Sequence, residues 1–175
     1  SLAAADQFVH LLEQIREQGA DSNISLKLTQ LGLDIDEQFC FDNASRILDE
    51  AAVGNNFVRI DMEAAKYTQP TLDMLHRLRE RHENVGVVIQ AMLFRSRDDV
   101  RDLLEKGVRM RHCKGAYKFP AAIAHLKKAA IAEAFQASAA EMLKSGIYHG
   151  FATHEETLVR WLLDFVEREG VDPAS

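Results

Sequence analysis

A chain of 175 residues, 47% apolar and 27% charged with nine glycines and three prolines, has room for about one domain and is not a disordered or low-complexity protein. No stretch approaches the ~18 consecutive apolar residues of a membrane span. The net charge of −6 argues against a generally basic face, so no nucleic-acid partner is expected.

Two cysteines, Cys40 and Cys113, make no disulfide framework, and a reducing, cytoplasmic compartment fits them. The chain opens Ser1-Leu2, without an initiator Met or the basic-then-apolar start of a signal peptide. It closes with Val171-Asp172-Pro173-Ala174-Ser175, which reads as a loop. Both ends look like cut points within a longer protein.

In chain order, Ala5 to Gln18 is a predicted helix with Phe8, Leu11, Leu12 and Ile15 on one face. A strand is expected over Ile24 to Leu31, then a short helix over Asn43 to Ala52 and a strand over Phe57 to Met62. Pro70 suits the first turn of a helix reaching about His82, before a strand over Val85 to Ala91. Ser96-x-x-Asp99 resembles a capping box at the head of a helix that Gly107 ends. A strand over Arg109 to Lys114 follows. Pro120 is then expected to open a long Ala-rich helix closed by Gly146. The last strand is Tyr148 to Thr153. The last helix, Glu155 to Glu169, carries Leu158, Trp161, Leu162 and Phe165 on one stripe and stops at Gly170.

Strand starts lie 33, 28, 24 and 39 residues apart, a spacing that predicts parallel βαβ units. No linker rich in Pro, Gly or Ser divides the chain, so residues 1–175 read as one domain. An open doubly wound sheet is apolar on both faces. Here Ser25, Lys27 and Thr29 share one face of their strand, as do Arg59 and Asp61, and Arg109 and Arg111. A polar lumen under an apolar, helix-covered outer face explains this better. The fold class expected is therefore α/β, a partial (β/α)8 barrel of the TIM type with about five parallel strands. A whole barrel needs eight strands and ~250 residues. Five strands leave two open edges, through which self-association is expected.

Polar residues gather at the predicted strand C-termini: Lys27, Asp61, Glu63, Gln90, Arg111, Lys114, Thr153 and His154. In parallel α/β folds that edge holds the site. Lys27 could bind an anion, form a Schiff base, or simply pair with Asp61 in the lumen. Arg111 offers a planar fork of donors for an anion, or a strand-end ion pair. Taken alone, Lys114-Gly115-Ala116 reads as an ordinary βα turn and Thr153 as a helix N-cap. No Gly-x-Gly-x-x-Gly, Walker A, HExxH or CxxC sequence occurs, and no metal site is expected. His10, His76, His82 and His125 read as surface residues, and Cys113 as a small buried one.

Five segments in order then carry a resemblance: Ile24-Ser25-Leu26-Lys27-Leu28-Thr29-Gln30-Leu31-Gly32, Phe57-Val58-Arg59-Ile60-Asp61-Met62-Glu63, Gly86-Val87-Val88-Ile89-Gln90-Ala91, Arg111-His112-Cys113-Lys114-Gly115-Ala116-Tyr117 and Phe151-Ala152-Thr153-His154. Together they resemble the proline dehydrogenase family from about residue 5 onward. The resemblance implies an FAD-containing barrel that oxidises L-proline to Δ1-pyrroline-5-carboxylate, with hydride passing to flavin N5 and electrons to a quinone. It implies Lys27 as the contact to the substrate carboxylate and Asp61 as the active-site aspartate. Met62 would lie against the flavin, Gln90 would hydrogen-bond the isoalloxazine, and Arg111 would stand at its reactive edge. Lys114, Gly115 and Ala116 would wrap the ribityl-phosphate region, with Thr153 and His154 meeting the adenosine-phosphate portion and Tyr117 at the pocket mouth.

His112 and Cys113 replace an apolar pair usual in the family, and His112 is expected to face the helix layer. The resemblance also places one strand before residue 5. Two more strands, and a helix whose arginine pair clamps the substrate carboxylate, would follow residue 175. Without that helix, weak substrate binding and little turnover are expected of this chain alone. Peripheral association with the inner membrane is an expectation for the full-length protein. Competing readings are a Schiff-base lyase barrel using Lys27 or Lys114, a non-catalytic barrel fragment, and another flavin barrel such as a methylenetetrahydrofolate reductase.

Overall fold

The computed structural model describes residues 1–172; Pro173, Ala174 and Ser175, read above as part of a terminal loop, lie outside them. The chain forms two compact units, Ser1–Val87 and Val88 onward. Strand neighbours follow chain order, β1-β2-β3-β4-β5, in one sheet. Parallel pairing is seen for β1 with β2, β2 with β3, and β4 with β5. The helical crossovers between these strands are the ones that parallel pairing requires.

In the first unit, α1 (Leu2–Gln18) packs on α3 (Glu37–Val53), and β1 (Ile24–Leu26) pairs with β2 (Val58–Ile60). Ala5 and Leu12 are the buried residues of α1, whereas Leu11, expected on the same face, is exposed. Ion pairs Arg16–Glu50 and Arg46–Asp6 fasten the rim of this helix pair. α3 is longer than the expected Asn43 to Ala52. It starts where the Asp36 carboxylate accepts from Phe39 N–H at 2.7 Å. A side-chain N-cap satisfies one of the amides that a helix start leaves open. Register pairs Ser25 with Arg59 between buried neighbours on either side, so the two-residue alternation reads as expected. The strands are shorter than predicted. The strand expected over Ile24 to Leu31 stops at Leu26 and turns into a one-turn helix, α2 (Leu28–Leu31). α4 (Thr68–Arg79) follows a 3-10 turn at Ala65–Tyr67 and ends before His82. Arg77 lies over the Phe41 ring at 4.0 Å.

β3 (Val85–Gln90) is buried at every position, as a strand covered on both faces must be. In the second unit it leads to α5 (Ser96–Glu105), β4 (Met110–Cys113), α6 (Lys128–Leu143), β5 (Gly150–Ala152) and α7 (Glu156–Glu169). Ala91, Phe135, Ala139 and Leu158 form its core, with Phe151, Trp161 and Leu162 packed against it. Full burial of a side chain the size of Phe135 contributes about 1.5–3 kcal/mol.

Two further helix starts differ from expectation. Ser96 is not an N-cap: its hydroxyl donates to the Gln90 carbonyl at 2.5 Å, while Asp99 pairs with Arg95. Pro120 opens no helix. The segment after β4 instead pairs back onto the end of β3, with Phe94 N–H on the Ile123 carbonyl (3.0 Å), His125 N–H on Met92 (2.8 Å) and a bridge between Leu93 and Ala124. Those bonds use backbone groups that a helix would have needed, so α6 waits until Lys128.

Cys113 is half-buried rather than buried, and its thiol points at the Ile89 carbonyl at 3.6 Å. His112 faces the helix layer as expected. It is fully buried and stacks on Phe135 with ring centroids 4.6 Å apart. Neither ring nitrogen has a hydrogen bond. Burial pushes its pKa down to about 4, an effect that the nearby backbone of Phe135 and Ile89 only partly offsets. His149 is also pushed down to about 4, by burial first and then by the Arg109 charge. Its Nδ1 accepts from Met110 N–H at 3.0 Å, so its proton sits on Nε2, which faces Ser145 Oγ at 3.1 Å. That hydroxyl in turn donates to the Met142 carbonyl at 2.6 Å.

Both imidazoles are therefore neutral in the fold, while an unfolded chain takes up protons below about pH 6.5. Stability is complete above that pH and declines as the pH falls from about 6.5 to 4, by up to ~1.4 kcal/mol per pH unit for each histidine. His149 is less buried and gives the smaller share. His112→Leu should remove more than half of this slope in urea melts between pH 7.5 and 4.5 and cost little at neutral pH. An unchanged slope would contradict the assignment.

Candidate active site

In the first unit the site is built around the place where β1 breaks. Lys27 holds an extended backbone (φ −106°, ψ 133°) at the N-cap of α2, and Gly32 closes that turn at φ 111°. Glu63, just beyond β2, is a buried carboxylate that grips the turn. One oxygen accepts from Thr29 N–H at 3.3 Å, and the other accepts from the Thr29 hydroxyl at 2.7 Å. A carboxylate at helical first-turn amides stabilises the turn electrostatically as well as by hydrogen bonding. The strand must therefore stop, and Lys27 is left at its mouth.

Across the ladder, Asp61 N–H donates to the Leu26 carbonyl at 2.8 Å. The Asp61 carboxylate then stands 3.9 Å from the Lys27 ammonium, with both side chains partly open to solvent. A pair of that exposure contributes little stability; what it fixes is the direction of the ammonium. Met62 is buried beside them.

In the second unit Gln90 is buried at the end of β3. Gly115 lies against it at φ 109°, a left-handed conformation that disfavours any other residue. A Cβ on Gly115 would sit 2.4 Å from Met92 Sδ and 3.3 Å from Gln90 Oε1. Cys113, Lys114, Gly115, Ala116, Ala152, Thr153, His154 and Glu155 line an open cleft of about 480 Å³. The Lys114 ammonium is paired with Glu155 at 2.6 Å. Thr153 is not the N-cap of α7. That position belongs to Glu155, and the Thr153 hydroxyl accepts from Glu155 N–H at 3.1 Å. The stem of Arg111 crosses β5 at Gly150, where a Cβ would stand 3.6 Å from Arg111 Cγ.

Five of the residues expected at the site, Lys114, Gly115, Ala116, Thr153 and His154, thus share one cleft, and Lys27 meets Asp61. Tyr117 is exposed, stands outside the lining of the cleft and leans toward Phe119, with ring centroids 6.1 Å apart. Sequence reasoning did not single out Cys113, Glu155 or Met92 for the site and gave Glu63 no role. A second cavity of about 390 Å³, lined by Arg16, Asp21, Asn23, Glu50 and Asn56 among others, lies at the N-terminal edge of β1 and β2, away from these groups. Among the described residues no cluster of His, Cys, Asp and Glu could hold a metal, and no helix is long and apolar enough to cross a membrane.

Parallel strands alternating with helices, their neighbours in chain order, define a segment of an α/β barrel. The family model for proline dehydrogenase matches residues 2–175, and the chain belongs to that family. Proline dehydrogenase 2 of Bacillus subtilis is 32% identical over 166 residues, covering 95% of this chain and 55% of the relative. Proline dehydrogenase 1 of the same species is 33% identical, covering 98% and 56%. Proline dehydrogenase of Deinococcus radiodurans is 31% identical, covering 95% and 56%. The chain thus spans little more than half the length of these relatives. The fold matches proline utilization A from Bdellovibrio bacteriovorus, crystallised after inactivation by N-propargylglycine, with a TM-score of 0.85 and 19% identity over 96% of this chain and 22% of that one. It also matches a proline utilization A with proline bound in remote sites, with a TM-score of 0.82, 18% identity, and 94% and 21% covered. The partial-barrel expectation is met.

Glu63→Ala should destabilise the first unit by about 1–2 kcal/mol in chemical denaturation, since it releases the first-turn amide and hydroxyl of Thr29. Gly115→Ala should cost about 2 kcal/mol from its backbone conformation and the contact with Met92. If either variant is as stable as the parent, the corresponding constraint is not what holds the turn.

Proposed function

We propose that this chain supplies the substrate lysine and much of the cofactor cradle of a flavin-dependent proline dehydrogenase, as a single incomplete barrel domain. Flavin dependence is general in this family, and FAD is the form the donor set suits. Lys114 and the Thr153 hydroxyl offer a cation and a donor to phosphate oxygens, and Gly115 and Ala116 add no bulk to the wall they form. Gln90 presents a buried amide beside them. When bound, FAD would accept the hydride from the carbon next to the proline nitrogen and send the electrons on to a quinone.

The chain's own residues handle substrate and charge. The Lys27 ammonium binds the proline carboxylate, and Asp61 keeps it aimed. The Gln90 amide and the Arg111 guanidinium offer donors where negative charge accumulates on reduction. Met62 packs as an apolar wall. The observation that carries this reading is the Lys27–Asp61 pair, 3.9 Å apart at the ends of neighbouring parallel strands. Family membership counts against the lyase and folate-reductase readings.

The test is a flavin absorbance titration followed by anaerobic addition of L-proline. FAD is expected to bind, and its absorbance to bleach slowly and only at high L-proline as product appears. Lys27→Met should keep FAD and weaken proline binding at least tenfold, the scale of a lost charge-assisted bond. Gln90→Ala or Arg111→Ala should weaken FAD binding or slow bleaching, and His76→Ala should do neither. A chain that binds no flavin, or three variants that behave alike, would overturn the reading.

A further inference from the structure

The cleft between the ends of β4 and β5 contains a carboxylate that the cofactor reading does not use. Glu155 Oε2 lies 2.6 Å from the Lys114 ammonium, and Oε1 accepts from the Thr157 hydroxyl at 3.1 Å. The backbone of the same residue is tied to the Thr153 hydroxyl. Glu155 therefore occupies the N-cap position of α7 without capping it, because its side chain turns into the cleft. The carboxylate, though exposed, is held at both oxygens, by Lys114 and by Thr157 of its own helix. The hydrogen bond from Lys114 shifts its pKa below the usual carboxylate value.

We propose that Glu155 is a built-in counter-anion, which holds Lys114 in the cleft and is displaced when a phosphate-bearing nucleotide binds there. The inference deepens the cofactor reading and rests on it for the identity of the nucleotide. One ammonium at contact distance from a carboxylate has no room for a phosphate oxygen along the same direction. Two anions brought to one cation also repel each other. Ligand entry thus exchanges one ion pair for another. Affinity is held down by the carboxylate, and the lysine stays ordered in the absence of ligand. Glu155 is in this sense a positioning residue, acting on the ligand through Lys114.

The experiment measures dissociation constants of ADP, FAD and riboflavin for the purified chain, for Glu155→Gln, for Thr157→Ala and for Glu155→Gln combined with Lys114→Met. Glu155→Gln keeps size and removes charge, and Thr157→Ala only frees the carboxylate from its anchor. The expected result is that Glu155→Gln binds ADP and FAD about tenfold tighter than the parent at low salt. That gain should shrink in about 0.5 M salt. Riboflavin, which carries no phosphate, should be unaffected. Thr157→Ala should gain about twofold, and the Lys114→Met combination should lose the gain. If Glu155→Gln binds ADP no tighter than the parent, or if neither binds ADP, the inference is overturned. If it gains on ADP while FAD fails to bind the parent, the counter-anion stands and the flavin reading falls. If FAD binds the parent and Glu155→Gln shows no gain, the reverse holds.

Discussion

The grip of Glu63 on Thr29 is the contact on which the placing of Lys27 depends. A strand that continued past Leu26 would carry Lys27 along the sheet and alternate its neighbours between faces. The buried carboxylate instead collects the amide and hydroxyl of Thr29, and the chain turns. The ammonium of Lys27 ends up next to Asp61 because β2 ends in register with β1. A burial that is costly for an acid alone is offset here by two good donors. The same donors convert the cost into a fixed geometry for a residue two positions away.

The second unit solves a related problem with less charge. Gly115 permits the backbone to fold against Met92 and Gln90, so the segment after β4 runs close under the end of β3. Lys114, one residue earlier, is then delivered to the cleft with Thr153, His154 and Glu155. Beneath it, His112 and Phe135 stack where two apolar side chains would serve packing as well. The unpaired imidazole makes this core sensitive to acid in a way that an apolar pair would not be.

Much of this was legible in the residues. The alternation of βα units, the polar alternate positions of the strands and the strand-end cluster all follow from side-chain period and spacing. What was not legible came from tertiary bonds. Nothing local tells that Ser96 will donate to Gln90 rather than cap its own helix, or that the segment from Pro120 will pair with Met92 and Phe94. Likewise the reach of α3 back to Glu37 is set by Asp36, whose carboxylate accepts from Phe39 N–H. Glu155 read as the first residue of a helix, and only the position of Lys114 gives its carboxylate another use.

The pairing of residues 123–125 with Met92 and Phe94 has one more consequence. Lys114 is fastened at one end, by Met92 N–H, and His125 at the other, by the Met92 carbonyl, so the stretch between them is a hoop closed on a single residue. Lengthening or shortening such a hoop shifts its contents without moving its clasp. Variation in Ala116 to Ala122 can therefore reshape the rim of the cleft while β4 and α6 keep their places.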